Sequence, residues 1–229
     1  MAGVKSGPNP ITPRLFAFLR DLRRHNDRAW FAANKERYLA DVRDPLLAFI
    51  AAFAPRLRKI APEMVADPSP VGGSLFRIHR DTRFAKDKSP YKTHAAMAFR
   101  NAGGKDKPGP AYYLHLGADG DVFAGAGIWH PMPDTLAQIR GAIAAHPQRW
   151  KRASQAKSCK LDDDDQKLSR PPRGFDPEHP FIEDLKRKSF TTGRAFSERD
   201  ACSPRFLDAF GSACRDAKPL VAFLSEAVS

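Results

Sequence analysis

A change of hydrophobic period near residue 75 constrains this chain more than any other feature. Upstream of it, apolar residues recur at helical spacing. Downstream, residues 75–79, 93–100, 110–116 and 121–128 are short segments that read as strands. The connections between them are too short for helical crossovers, so the sheet they form is expected to be antiparallel. Gly117-Ala118-Asp119-Gly120 has the turn chemistry of a hairpin between the last two. Asn101-Ala102-Gly103-Gly104 opens a looser loop before the third. Gly125 and Gly127 point to a bulge, or to a place where something approaches the backbone closely.

Helices flank this region. Thr12-Pro13 reads as an N-cap followed by proline at the first helical position, with Leu15, Phe16, Leu19 and Leu22 behind it and an end at His25-Asn26. Asp27 is placed to cap a second helix carrying Trp30, Phe31, Asn34 and Tyr38. Asp44-Pro45 repeats the cap-and-proline start for a third, with Leu46, Phe49, Ile50 and Phe53 on one face, and Pro55 is expected to kink or end it. Further helices are expected from Asp134, from Pro147, from about Phe181, from Ser203-Pro204 and from Pro219, whereas 162–165 reads as a solvated loop. This order predicts an α+β fold: an antiparallel meander with N-terminal and C-terminal helices packed on it. The expected organisation is a flexible tail over residues 1–11 and a single globular domain over 12–229.

Composition bounds the function. With 229 residues, 42% hydrophobic, the chain can bury a core without disulfide or metal staples. Cys159, Cys202 and Cys214 form no C-x-x-C pair, and no apolar run approaches the length of a bilayer crossing, so the cytoplasm is the expected location. The net charge is +12, and residues 77–107 carry nine Lys or Arg against three acids. Such an excess attracts anions: nucleic acid, nucleotides or acidic surfaces.

The densest functional-looking stretch is 77–92, with three arginines and three lysines. Arg77 and His79 leave the first strand on one face, because strand side chains alternate. The cations cannot pack together without anions between them. Asp81 and Asp87 supply two, which leaves spare guanidinium forks suited to phosphate or carboxylate. Tyr91 adds a hydroxyl and a flat face for stacking. Phe84 reads as a core anchor, and Trp30 and Trp129 as core or pocket wall.

These residues resemble a known pattern. Arg77, Arg80, Asp81, Arg83, Phe84, Asp87, Lys88 and Tyr91 occupy every position of the R-x-x-R-D-x-R-F-x-x-D/N-K-x-x-Y motif of a bacterial family, domain of unknown function 2461. Asn26-x-Arg28-x-Trp30-Phe31-x-x-Asn34-Lys35 and Gly125-x-Gly127-Ile128-Trp129 are similar to further family features. The resemblance spans nearly the whole chain; it implies an extent for the domain and no particular reaction.

Two readings of the segment compete. In the first, Arg77, Arg80, Lys88 and Lys92 hold a phosphate or carboxylate, Asp81 and Asp87 orient the guanidinium groups, with Arg83 among them, and Tyr91 closes one wall. The partner is then an anionic ligand or a nucleic-acid backbone, with no cofactor and no membrane. In the second, a hydrolytic or phosphoryl-transfer enzyme uses Asp81 or Asp87 as base or metal ligand, with His79 or His94 helping proton transfer. That requires one acid free of its cation partners. A purely structural ion-pair network would produce the same residue pattern. Weaker constellations add little. His79, His94 and His115 on a meander are enough imidazoles for zinc with an open position, but strand histidines are more often satisfied polar groups, so no metal is expected. There is no P-loop, G-x-G-x-x-G or G-x-S-x-G. Asn34 is expected to bond a backbone group, or else to share a pocket with Arg28 and Arg77.

Overall fold

The computed structural model describes residues 9–102, 109–156 and 159–229. Its five-stranded antiparallel sheet comprises β1 (Met64–Val65), β2 (His94–Asn101), β3 (Ala111–Gly117), β4 (Val122–Ile128) and β7 (Phe190–Phe196), in the order β1-β2-β3-β4-β7. A two-stranded ribbon of β5 (Gln155–Ala156) and β6 (Cys159–Lys160) is separate. The helices are α1 (Pro13–Arg24), α2 (Arg28–Ala33), α3 (Lys35–Tyr38), α4 (Asp44–Ile60), α5 (Pro133–Ala145), α6 (Pro147–Ser154), α7 (Ile182–Leu185), α8 (Glu198–Ala201) and α9 (Phe206–Ala227). The α+β expectation holds, as does antiparallel pairing of the segments in the 110s and 120s. Among the described residues no helix is long and apolar enough to cross a membrane.

The chain packs as two compact units: residues 1–99, 113–124 and 195–212, and residues 100–112, 125–194 and 213–229. In the first, Asn9 donates to the carbonyls of Ala201 (2.6 Å) and Ser203 (2.8 Å), and Ile11 is buried. The stretch just ahead of α1 is thus held in place, because a short amide side chain bonds two carbonyls at and beyond the end of α8. Helix α1 buries Leu15, Phe16, Phe18, Leu19 and Leu22. Phe53 of α4 meets Phe99 of β2 at 5.0 Å and Phe210 of α9 at 4.8 Å between ring centroids, an aromatic core that joins helices to sheet.

Several helix boundaries differ from expectation for identifiable reasons. Asp27 caps α2 through the Trp30 N–H (2.9 Å), but the helix stops at Asn34. The Asn34 amide donates to the Trp30 carbonyl at 2.9 Å, the expected backbone role. A π-helical turn (Leu39–Arg43) then runs straight into α4, so Asp44 is not an N-cap. Pro55 neither ends nor breaks α4, and Pro219 lies inside a single α9 where a second helix was expected to begin. Both prolines sit on the exposed side of their helix, where the carbonyl that each deprives of a donor faces water, while the opposite face is buried. Residues 75–79 do not form a regular strand: isolated bridges Leu75↔Met97 and His79↔Tyr91 tie them to β2 and its approach.

In the second unit, Trp150 is fully buried against Phe190 and Phe223, and its indole N–H donates to Asp184 Oδ2 at 2.7 Å. Asp164 is no solvated turn residue. Its carboxylate accepts the backbone N–H groups of Gln166, Lys188 and Ser189, which holds the long connection before β7. Strand β7 itself escaped the sequence reading, since Thr-Thr-Gly-Arg gives an edge strand only a brief alternation. The expected close approach at Gly127 is present: φ is +116°, and a Cβ there would lie 2.0 Å from the Phe190 carbonyl oxygen. The expected loop at 101–104 falls partly outside the described residues.

Candidate functional site

Segment 77–92 is pinned at both ends before its charges are arranged. The Asn26 side chain, in the turn between α1 and α2, pairs with the backbone of Tyr91 in both directions. Its Nδ2 donates to the Tyr91 carbonyl (3.0 Å) and its Oδ1 accepts the Tyr91 N–H (3.1 Å). Arg80 N–H donates to the Pro90 carbonyl and Lys92 N–H to the Ile78 carbonyl, at 2.9 and 2.8 Å. The Tyr91 ring lies flat on Phe31 at 4.1 Å and is buried. His79 packs against both rings, 5.2 Å from Tyr91 and 6.1 Å from Phe31. Tyr91 is therefore an anchor in the aromatic core, where the sequence suggested a stacking wall.

Between the pins the loop pairs internally. Arg80 bonds the Asp87 carboxylate. Asp81 is gripped by Arg83 through Nε (3.0 Å), NH2 (2.7 Å) and the backbone N–H (3.2 Å). Lys88 Nζ donates to the Thr82 carbonyl at 3.0 Å, and Ser89 donates twice to Asp87. The hydrogen bond from Arg83 holds Asp81 below the ordinary carboxylate range. Those from Ser89, and then Arg80, push Asp87 further down. Both carboxylates are thus suited to orienting guanidinium groups and poorly suited to taking up a proton near neutral pH. Phe84 is 95% exposed, with the Arg83 guanidinium over its ring at 5.9 Å, so it is not a core anchor. A loop held by polar pairs offers it no apolar partner. Trp129 is likewise 75% exposed, whereas Trp30 is half-buried against Phe18 and His25.

Arg77 and Lys92 differ from Arg80, Arg83 and Lys88. Among the described residues neither forms an ion pair, and Lys92 feels the charge of Arg77. Burial, and then Arg77, pull the Lys92 ammonium below its ordinary value. Its Nζ sits 5.5 Å over the Phe76 ring.

Lys92 leads into the outward face of β2, β3 and β4. Residues 112, 114, 116, 122 and 124 point into the core, so Tyr113, His115 and Phe123 point the other way. His115 lies between two rings, stacked on His94 (4.6 Å, 29°) and on Phe123 (4.8 Å, 14°). Tyr113 is 5.8 Å from Phe123 and 6.3 Å from Phe76. Asp121 Oδ2 is bonded to His115 Nε2 at 3.0 Å. Sequence reasoning named His94 and His115 but missed the face. The available signal was the out-of-core register of positions 113, 115 and 123. His79 stands apart with Phe31 and Tyr91, and among the described residues no three His, Cys, Asp or Glu side chains assemble in a metal-binding group.

Burial, and then His115 and Lys92, lower His94 to about 4 from an ordinary 6.5. The native state therefore sheds a proton that the unfolded chain keeps between these values. His94 supports stability fully above about pH 6.5, and that support is lost as pH falls toward 4. His94→Gln is expected to flatten this part of the pH dependence of the urea midpoint. In the wild type, the His94 ring carbons should titrate near pH 4 by NMR; a midpoint near 6.5 would contradict the packing described.

No curated protein matches this chain. The family model described as "Conserved hypothetical protein (DUF2461)" matches residues 14–223, from the start of α1 into the last part of α9, and the chain belongs to that family.

Proposed function

We propose that this protein binds an anionic ligand, phosphate or carboxylate, at Arg77 and Lys92. The observation that carries the reading is a contrast within the segment 77–92. Arg80, Arg83 and Lys88 have oxygen partners inside the loop, whereas Lys92 feels the charge of Arg77 and neither has an ion-pair partner among the described residues. Two neighbouring cations, one of them partly withdrawn from water, destabilise each other's charge. An anion between them removes that conflict and gains charge-assisted hydrogen bonds, with the guanidinium fork matched to a phosphate or carboxylate edge. Asp81, which feels Arg77, is already held by Arg83 and does not supply that anion. In this reading Arg80, Asp81, Arg83, Asp87 and Lys88 build the loop, and Tyr91 carries it on the core.

The test is a thermal scan with and without inorganic phosphate, against chloride of matched ionic strength. At about ten times its Kd, phosphate should stabilise the native state by about 1.4 kcal/mol. In a chain of this size that raises Tm by about 3–6 °C. Lys92→Met should abolish the response while leaving the basal Tm unchanged or higher, because a repulsion is relieved. Arg80→Ala, whose pair with Asp87 lies near water, should retain it. A wild type indifferent to phosphate, or a full response in Lys92→Met, would overturn the reading.

A further inference from the structure

We infer that the outward face of β2–β4 is a base-stacking platform, and that the anion received at Arg77 and Lys92 is a phosphate of a single-stranded nucleic acid. This inference rests on the anion site proposed above and extends it to a ligand class.

The solvent face of an antiparallel sheet ordinarily carries polar and charged side chains. Here positions 94, 113, 115 and 123, spread over three adjacent strands, are His, Tyr, His and Phe. Their rings are contiguous: His94, His115 and Phe123 form one stack across the strands, and Tyr113 and Phe76 continue the surface beside it. Phe123 has one face on His115 yet remains 37% exposed, and Phe76 is 36% exposed. The imidazoles are neutral at physiological pH, since burial lowers both, so the stack presents flat π surface rather than two repelling cations. Asp121 reaches this face, and its carboxylate is engaged by His115.

A row of rings bordered by cations is the arrangement by which single strands are held. Bases stack on aromatic faces, and adjoining Lys or Arg take the backbone phosphates. Lys92 stands at that border, over Phe76. Phe76, Tyr113 and Phe123 run as a row, with room for more than one base, which favours a strand over a free nucleotide. The net charge of +12 suits a polyanion. A duplex is disfavoured because its base faces are hidden by their own stacking.

The experiment compares the full-length protein with a labelled single-stranded 8-mer, an abasic 8-mer of equal charge, a duplex of the same length and a mononucleotide, by fluorescence anisotropy at fixed low salt. The base-containing strand should bind about tenfold or more tighter than the abasic strand, the gain expected of at least one stacked base. It should also bind tighter than the duplex and the mononucleotide. Phe123→Ala and Tyr113→Ala should each remove most of the gain, Phe123→Trp should retain it, and none of the three should alter the phosphate-induced rise in Tm. Lys92→Met should weaken both strands and reduce the salt dependence. Equal binding of abasic and base-containing strands, tighter binding of the duplex, or best binding of the mononucleotide would each overturn the inference and leave the anion site standing. Loss of the phosphate response together with all oligonucleotide binding would overturn both.

Discussion

Gly127→Ala is expected to destabilise the protein by about 4 kcal/mol, from about 1–3 kcal/mol of backbone strain and about 1–3 kcal/mol of overpacking. Gly127 adopts φ +116°, a conformation that side-chain-bearing residues rarely take. A Cβ there would stand 2.0 Å from the Phe190 carbonyl oxygen and 3.0 Å from its carbon, and these are backbone atoms of the neighbouring strand β7 with no rotamer to turn aside. Either the strands separate at this point or the backbone is forced elsewhere. Tm should fall by about 8–16 °C, with amide exchange accelerated at the ends of β4 and β7. Two other glycines calibrate the result. Gly174 also has positive φ (+87°) but open space around it, so Gly174→Ala reports strain alone and should cost less. Gly141 lies within α5, and an added methyl group there would meet open space, so Gly141→Ala should stabilise by up to about 1 kcal/mol. If Gly127→Ala costs no more than Gly174→Ala, the contact with β7 is not what selects glycine there.

Asn26→Ala should cost about 2–6 kcal/mol, because two backbone groups of Tyr91, N–H and carbonyl, lose their partners at once and each unsatisfied buried group costs about 1–3 kcal/mol. Tyr91 is 5% exposed, so water does not easily replace the amide. The corresponding fall in Tm is roughly 4–24 °C. The effect should extend to ligand binding, since Lys92 follows Tyr91 directly, and the phosphate response should weaken although Asn26 is not expected to touch the anion. Asn26→Asp separates the two bonds. It keeps an acceptor for the Tyr91 N–H but sets a carboxylate against the Tyr91 carbonyl, so its deficit relative to wild type should narrow as pH falls and the carboxyl becomes able to donate. A Tm within about 2 °C of wild type for Asn26→Ala would mean that the hydrogen bonds from Arg80 and Lys92 suffice to hold the segment.

What the sequence determined follows from local rules. Period and turn chemistry placed α1, α5, α6, β2, β3 and β4, because each buries one continuous face and is bounded by Pro, Gly or capping residues. The spacing of the motif brought Arg80 to Asp87 and Arg83 to Asp81, pairs close enough in chain for the loop itself to form them. The need for glycine at 127 was also legible, though not the identity of what approaches it. Tertiary structure decided the rest, where local preference is weak or is outweighed. Pro55 and Pro219 read as helix ends, but their helices bury long apolar faces whose packing exceeds the loss of one solvent-facing backbone bond. Strand β7 exists because β4 offers it an edge to pair with. Phe84 and Tyr91 are both aromatic and occupy the same motif; only the position of Phe31 and of Asn26, far away in sequence, makes one an anchor and leaves the other in water. Charge composition announced an excess of cations, yet which of them lack a partner depends on every carboxylate brought near by folding. That left Lys92 over Phe76, at the edge of a row of rings drawn from three strands and a loop, a juxtaposition that no single stretch of sequence contains.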